Sequence, residues 1–110
     1  MQIEKKLGKI RAVSFGAGGY QDAMIGISFT LGGESWGVCD FWGEWSMERD
    51  EYCKWTDQDR INTLGTVVMR INALLKEAKK SNINGLQGIP VEATFSGNAL
   101  QSWRVLTEVI

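Results

Sequence analysis

The segment from residue 56 to 81 constrains the fold more than any other part of the chain, because it has the pattern of one long amphipathic helix. Apolar side chains recur at alternating steps of three and four residues, which places them along one face of an α-helix. The opposite face is polar and charged, so we expect the helix to lie on a core rather than inside one. The predicted apolar stripe contains Ile61, Leu64, Val68, Ile71, Leu75 and Ala78, widened by Val67 and Leu74.

Both ends of this helix carry sequence signals. Thr56 can cap the first turn, and Asp57 and Asp59 lie where the helix dipole favours negative charge. Lys76, Lys79 and Lys80 lie in the predicted last turns, where the dipole favours positive charge, and the segment 82–85 ends the helix.

Alternation of apolar and polar residues predicts strands on both sides of the helix. Gly32 and Gly33 are expected to form a two-residue turn, and residues 43–55 a long loop that leads into the helix. The order of three strands, one helix and two strands predicts an α+β fold, in which an antiparallel sheet of about five strands carries one long helix on one face. The predicted strands span residues 3–15, 24–31, 35–42, 91–96 and 102–110.

Length and charge limit the classes of protein that fit this chain. A chain of 110 residues builds one core, so residues 1–110 are expected to form a single domain. The net charge is −1, with acidic and basic residues mixed along the chain, which makes nucleic acid an unfavoured partner. Residues 1–9 have no apolar core of signal-peptide length, and no apolar run approaches the ~20 residues of a membrane span, so we expect a cytoplasmic protein with no membrane association.

Few side chains in this sequence are suited to catalysis or metal binding. The chain contains no histidine, and Cys39 and Cys53 do not match a common zinc-site spacing, so both are predicted to be free thiols. The carboxylates of Asp22, Asp40 and Glu44 show no spacing typical of a glycosidase. We therefore predict a protein that is not an enzyme and that has no metal and no cofactor.

Tryptophans are concentrated in the predicted third strand and just after it. Three of the five in the chain, Trp36, Trp42 and Trp45, fall within ten positions. Strand alternation places Asp40 on the same face as Trp36 and Trp42. If that face is exposed it is a binding surface. If it is core, Asp40 needs a buried partner such as Arg104.

A glycine-rich segment, residues 15–20, is predicted to be a loop between two strands. It lacks the lysine and the following helix of a phosphate-binding P-loop, but Gly18 and Gly19 would let the backbone approach a ligand. Tyr20 and Asp22 would stand at the rim, and Trp45 on the long loop would close over the site. The candidate ligand- or partner-binding residues are Gly18, Gly19, Tyr20, Asp22, Trp36, Asp40, Trp42 and Trp45.

Four segments of the chain resemble a family of small proteins encoded by tailed phages and prophages. The resemblance covers nearly the whole chain and supplies no catalytic motif. It implies a phage accessory protein made in the host bacterial cytoplasm, of a kind that counters host defence by capturing a signal molecule or blocking a defence protein. The matching segments are residues 18–23, 35–43, 54–56 with Asp59 and Arg60, and 102–108.

Three functions remain open at this point. The first is sequestration of a small nucleotide-like ligand by the indoles and the glycine-rich segment. The second is inhibition of a host defence enzyme through the same tryptophan patch. The third is single-strand nucleic-acid binding, which the scattered basic residues disfavour. Open sheet edges and a second sheet face also predict a homo-oligomer, most simply a two-fold dimer.

Overall fold

The computed structural model describes residues 2–110 and confirms the α+β fold. In this part of the chain one antiparallel sheet of five strands carries one α-helix, as expected from the sequence. The strands are β1 (Ile3–Gly18), β2 (Met24–Gly32), β3 (Gly37–Trp45), β4 (Pro90–Ser96) and β5 (Ala99–Val105); the helix is α1 (Asp57–Ala78), and 3-10 turns occupy Tyr20–Asp22, Ile83–Leu86 and Thr107–Val109.

The long first strand determines the shape of the sheet, whose strand order is β3-β2-β1-β4-β5. Residues 3–9 of β1 pair with β4, and residues 9–18 pair with β2. A register shift between Ile10 and Ala12 marks a bulge, and bulges increase the local bend and twist of a strand. The sheet curls so far that Trp103 of the edge strand β5 stacks on Trp42 of the opposite edge strand β3.

The core fills the concave side of this curled sheet. Phe29 and Leu31 of β2 are fully buried there, together with Ile10 of β1 and Val91 of β4. Val91, Ala93 and Phe95 face inward, as the alternation of the fourth strand predicts. The core cluster consists of Ile10, Ile27, Phe29, Leu31, Val67, Leu74, Ala78, Leu86, Ile89, Val91 and Val105.

The start of α1 follows the sequence prediction. Thr56 and Asp59 form a reciprocal capping box, in which the Asp59 N–H donates to Thr56 Oγ1 (3.0 Å) and the Thr56 N–H donates to Asp59 Oδ2 (2.8 Å). The hydrogen bond from the Thr56 backbone, with that from its side chain, lowers the pKa of Asp59. The helix ends at Ala78, and the next residue, its C-cap Lys79, adopts the left-handed conformation. Within residues 2–110, no helix has both the length and the apolar character that crossing a bilayer requires.

The buried face of α1 differs from the predicted stripe. Val67, Leu74 and Ala78 are buried, whereas Ile61 and Val68 are 61% and 59% exposed. The buried residues all belong to the predicted stripe, and Ile71 and Leu75 pack against the core, so the helix is rotated only far enough to expose Ile61 and Val68. Apolar residues occupy both faces of this helix, and adjacent valines at 67 and 68 give the same hydrophobic signal. The three-dimensional fit to the sheet decides which of them is buried.

The glycine-rich segment is mostly strand rather than loop, which corrects the sequence prediction. Gly16 pairs with Gly26, and Gly18 pairs with Met24 across the β1–β2 ladder. A Cβ on Gly18 would lie only 2.8 Å from the ring of Phe41. Glycine is needed here because an aromatic ring occupies the space of a side chain.

Three other predicted boundaries were also wrong. The β2–β3 connection has four residues, 33–36, and is closed by a hydrogen bond that Gly33 N–H donates to the Trp36 oxygen (3.0 Å). Strand β3 continues to Trp45, which was expected on the loop. Strand β5 ends at Val105, and the chain then turns in a 3-10 helix, across which Arg104 pairs with Glu108 four residues later.

Two arginines hold the connection between β3 and α1. Arg49 Nε donates to the Trp55 oxygen (2.6 Å). Arg60 Nη1 donates to the oxygens of Trp45 (3.3 Å) and Met47 (2.8 Å), and the guanidinium lies 4.8 Å from the Trp55 ring centroid. These contacts of Arg60 therefore hold the connection between β3 and α1 against the first turns of α1.

The rotation of α1 predicts opposite outcomes for two aspartate substitutions. Leu74→Asp should abolish folding, since losing a buried leucine to alanine already costs about 2–5 kcal/mol and a buried unpaired charge costs more. Val68→Asp should leave the chain folded, because the side chain lies in solvent. Far-UV circular dichroism with urea unfolding distinguishes the two. A folded Leu74→Asp chain would contradict the buried face described here.

Candidate functional site

A cleft of about 220 Å³ lies between α1 and the two edge strands of the curled sheet. Strands β3 and β5 contribute its aromatic floor, and the exposed flank of α1 contributes a charged wall. The cleft is where the sheet edges and the helix meet. Its lining residues are Trp42, Arg70, Ala73, Leu74, Glu77, Trp103, Arg104 and Val105.

The floor of the cleft is a stacked pair of indoles. The rings of Trp42 and Trp103 lie 5.7 Å apart between centroids and are inclined by 18°. Both rings also contact Phe29 of the core, at 4.6 and 5.0 Å between centroids. The indoles are therefore partly buried and held in place by the core beneath them.

Asp40 fixes both indoles from below. Its Oδ2 accepts hydrogen bonds from Nε1–H of Trp42 (3.0 Å) and of Trp103 (2.7 Å), and its Oδ1 accepts from the Phe41 N–H (3.0 Å). The sequence left open whether this face is core or exposed, and the structure shows that it packs on the core. The partners of the acid are indoles, and Arg104 does not pair with it.

Arg70 covers the outer side of the indole floor. Its guanidinium carbon lies 3.9 Å from the Trp42 ring centroid, in the geometry of a cation–π contact. The side chain is exposed. In the described part of the chain, Arg70 has no carboxylate or carbonyl partner, so its N–H donors face water.

Arg104, the second arginine of the cleft, is already neutralised. It makes two hydrogen bonds of 3.0 Å to the carboxylate of Glu108 and one of 3.2 Å to Glu92. The Arg104 hydrogen bond lowers the pKa of Glu108 to about 2, and the two acids raise the pKa of Arg104. Arg70 is therefore the unpaired cation of this cleft, with Glu77 as the acid on the same helix flank.

Only two of the predicted site residues, Asp40 and Trp42, contribute to this cleft. Trp36 lies on the same side of the sheet, immediately before β3. It is six positions from Trp42, which corresponds to about 20 Å along an extended chain. Its Nε1–H donates to the Leu7 oxygen (3.2 Å), and its ring meets Phe95 edge-to-face at 5.6 Å. Trp36 therefore packs at the opposite end of the concave side.

The other five predicted residues lie elsewhere. Gly18 is buried below Phe41, and Gly19 (φ 68°) is packed against Met24. Trp45 pairs with Met24 in an unbroken β3 register, so alternation places it on the sheet face opposite Trp42. Tyr20 and Asp22 are exposed on the short turn before β2. The structure thus divides the predicted residues instead of joining them in one surface.

Sequence analysis missed Arg70 and Trp103 as parts of the site. Arg70 is one of several polar residues on the helix, and nothing in its spacing distinguishes it. The contact of Trp103 with Asp40 joins residues 63 positions apart, and pairing over that distance has no local sequence signal.

The Asp40 contact predicts that removing the indole N–H of Trp42 or Trp103 lowers the free energy of unfolding more than removing that of Trp36. Trp103→Phe removes a hydrogen bond to a carboxylate and should lower the free energy of unfolding by about 1.5–3 kcal/mol. Trp36→Phe is the matched control; it removes a bond to a neutral carbonyl and should cost only about 0.5–1.5 kcal/mol. Urea unfolding monitored by circular dichroism measures both. Equal losses would contradict a special role for Asp40.

The Arg104 network predicts a distinctive titration at the C-terminal turn. Because the folded-state pKa of Glu108 is about 2 and the ordinary value is 4.5, the contact stabilises the fold above pH 4.5 and is lost as the pH falls towards 2. Arg104→Gln should return the pKa of Glu108 towards 4.5. Carbon-detected NMR of the side-chain carboxyl reports both values, and an unchanged midpoint in the variant would refute the assignment.

The cleft combines aromatic rings with a cation. It offers a flat indole floor and one unpaired guanidinium, a combination that suits a planar group carrying negative charge. Residues 2–110 contain no cluster of three metal-ligating side chains, and Cys39 and Cys53 are free thiols. No protein-family model, curated protein or solved structure matches this chain.

Proposed function

We propose that this protein is a non-enzymatic binding protein that sequesters a small nucleotide-like anion at the cleft of Trp42, Arg70 and Trp103. One observation carries the proposal. Arg70 lies over the Trp42 ring with no acidic partner, beside a second indole that is held in place by Asp40 and Phe29. A phosphate would pair with the guanidinium, and a base or ribose would lie against Trp103, the part of the floor beside the ring that Arg70 covers.

Rigidity of the floor supports a binding role. A ligand that stacks on a mobile indole must first order it, at a cost of about 0.5–1.5 kcal/mol per side chain. Here the Asp40 hydrogen bonds and the contacts with Phe29 have already ordered both rings. The two indoles are therefore ordered when the chain folds, so ligand binding does not include the cost of ordering them.

The size of the cleft limits what it encloses. A volume of about 220 Å³ lies below the roughly 300–1,000 Å³ of typical small-ligand pockets. We expect one part of the ligand to enter the cleft while the rest extends over the surface beside Arg70. A mononucleotide has the right chemistry, since its phosphate is a compact dianion and its base is a flat ring.

The glycine-rich segment plays a smaller part in this proposal than the sequence indicated. Gly16 and Gly18 lie within the β1–β2 ladder, so their backbone does not form an open phosphate cradle. Tyr20 and Asp22 remain exposed, and they stay candidates for contact with the outer part of a ligand or with a partner.

The remaining alternatives have less support. Trp36, Trp42 and Trp103 all pack against the core, so they leave less exposed area than a patch of free indoles that docks on a host enzyme. A single-strand nucleic-acid groove needs several unpaired cations around the rings, and of the two arginines in the cleft Arg104 is already paired. The resemblance to phage proteins supports a setting in the bacterial cytoplasm, where the protein would withhold a defence signal.

Adenosine 5′-monophosphate is a suitable probe, with adenosine as the ligand that lacks the phosphate. Binding should quench tryptophan fluorescence and should saturate. Arg70→Gln should weaken binding of the monophosphate by about 10- to 100-fold, the equivalent of one charge-assisted hydrogen bond of about 1.5–3 kcal/mol. Adenosine should bind wild type and variant alike.

Arg11→Gln serves as the matched control, because it makes the same charge change at an exposed arginine of β1 outside the cleft. It should bind like wild type. Failure of the four common mononucleotides to bind below about 1 mM, or roughly 4 kcal/mol, would overturn the proposal. Native mass spectrometry of protein from phage-infected and uninfected bacteria tests the setting by comparing co-purified small molecules.

A further inference from the structure

Glu77 is the second unpaired charge of the cleft, and it lies on the same flank of α1 as Arg70. Seven residues separate the two positions, which is close to two full turns, so both side chains leave the helix in nearly the same direction. The rise of the helix places them about 10 Å apart along its axis. Both side chains are exposed and both line the cleft. The helical wall of the cleft therefore carries a cation and, two turns later, an acid.

No contact within the described chain occupies the Glu77 carboxylate. In residues 2–110 this side chain takes part in no ion pair and no side-chain hydrogen bond. Arg104, on the other wall of the cleft, is held by two other acids. Lys80, one turn further along the helix, lies against Gly85. Both oxygens of the Glu77 carboxylate are therefore available to accept hydrogen bonds from a ligand.

The stretch of wall between the two charges is low. Ala73 lies three residues after Arg70 and four before Glu77, so it occupies the same flank of the helix. It is exposed and contributes only a methyl group to the cleft. The indole of Trp103 forms the floor beside this stretch. A flat ring that lies against Trp103 thus has room between the guanidinium and the carboxylate.

We propose that Glu77 reads the base of the bound nucleotide and that the cleft selects guanine. This inference rests on the proposed function, because it places the phosphate at Arg70 and the base against Trp103. A carboxylate offers two acceptor oxygens side by side and no donor. Among the four common bases only guanine presents two adjacent N–H donors on its Watson–Crick edge, at N1 and at the N2 amino group. Guanine therefore makes two charge-assisted hydrogen bonds to Glu77.

The other bases fit the same carboxylate less well. Adenine and cytosine place an amino donor beside a ring nitrogen that is an acceptor, so one carboxylate oxygen of Glu77 opposes a lone pair. Uracil has one N–H donor between two carbonyl oxygens. Each mismatch leaves an acceptor facing an acceptor, and that arrangement costs affinity because neither group regains the hydrogen bond it made to water.

The two opposite charges also fix the orientation of the ligand. The Glu77 carboxylate repels a phosphate, whereas Arg70 attracts one, so the nucleotide enters with its phosphate towards the start of the helix. In an extended mononucleotide the phosphate and the Watson–Crick edge of the base are separated by a distance similar to the roughly 10 Å between the two side chains along the helix. One mononucleotide therefore spans both charges.

Isothermal titration calorimetry of the full chain with guanosine, inosine and adenosine 5′-monophosphate tests the selection. The guanosine nucleotide should bind at least about 10-fold more tightly than the adenosine nucleotide, the effect of one charge-assisted hydrogen bond. The inosine nucleotide should fall between them, since it keeps N1–H and lacks the amino group.

Glu77→Gln should reverse the preference. The amide keeps one acceptor and places a donor against a donor of guanine, so binding of guanosine monophosphate should weaken by about 10- to 100-fold. The same amide accepts from the adenine amino group and donates to adenine N1, so adenosine monophosphate should bind about 3- to 10-fold more tightly than it binds wild type. Glu51→Gln is the matched control, because it makes the same change at an exposed acid outside the cleft; it should bind like wild type.

The outcomes separate this inference from the proposed function. Equal binding of the guanosine and adenosine nucleotides would overturn guanine selection and leave the cleft as a nucleotide site. A guanine preference that survives Glu77→Gln would also overturn it. 2′-Deoxyguanosine monophosphate should bind like the ribonucleotide, and a loss of affinity there that Glu77→Gln removes would show that the acid reads the ribose instead. If no mononucleotide binds, both the inference and the proposed function fail.

Discussion

The carboxylate of Asp40 joins the two edges of the sheet, and the concave side of the fold depends on that contact. One oxygen accepts from an indole on β3 and from an indole on β5, strands that stand at opposite ends of the sheet order. A flat sheet would keep these edges far apart. The bulge at Arg11 bends β1 so that its two halves serve two different neighbours, and the edges can then meet above Phe29. Curvature and the polar contact therefore support each other.

This arrangement explains why a carboxylate lies among aromatic rings. A partly buried acid without donors would destabilise the fold, but three N–H groups satisfy the Asp40 oxygens. In turn, each indole N–H obtains a charged acceptor, which gives a stronger hydrogen bond than a neutral one. The rings can then turn their faces to Arg70 and to each other. The electrostatics of the cleft are thus divided between an inner acid that orders the floor and an outer cation that remains available.

Sequence alone predicted the parts of this structure that depend on neighbours along the chain. The cap at Thr56, the inward alternation of Val91, Ala93 and Phe95, and the α+β order all follow from local spacing. The misses involve contacts between distant segments. Val67 and Val68 are equivalent in pattern, and only the shape of the sheet buries the first. The partner of Asp40 was sought among arginines, since no local rule brings Trp103 to β3.

The glycines also show that local sequence does not predict contacts between distant segments. They matter for where a ligand can bind. Glycine-rich sequence usually indicates flexible backbone, and the segment before Tyr20 was predicted to be a loop that approaches a ligand. In the fold, Gly18 lies in a strand because the Phe41 ring occupies its side-chain space, whereas Gly65 has free space around it on an exposed helix. The first glycine is explained by packing within one chain and the second is not. Free space at a glycine therefore means that packing within the chain does not require it, as at Gly16, Gly88 and Gly97, which have the same free space around them.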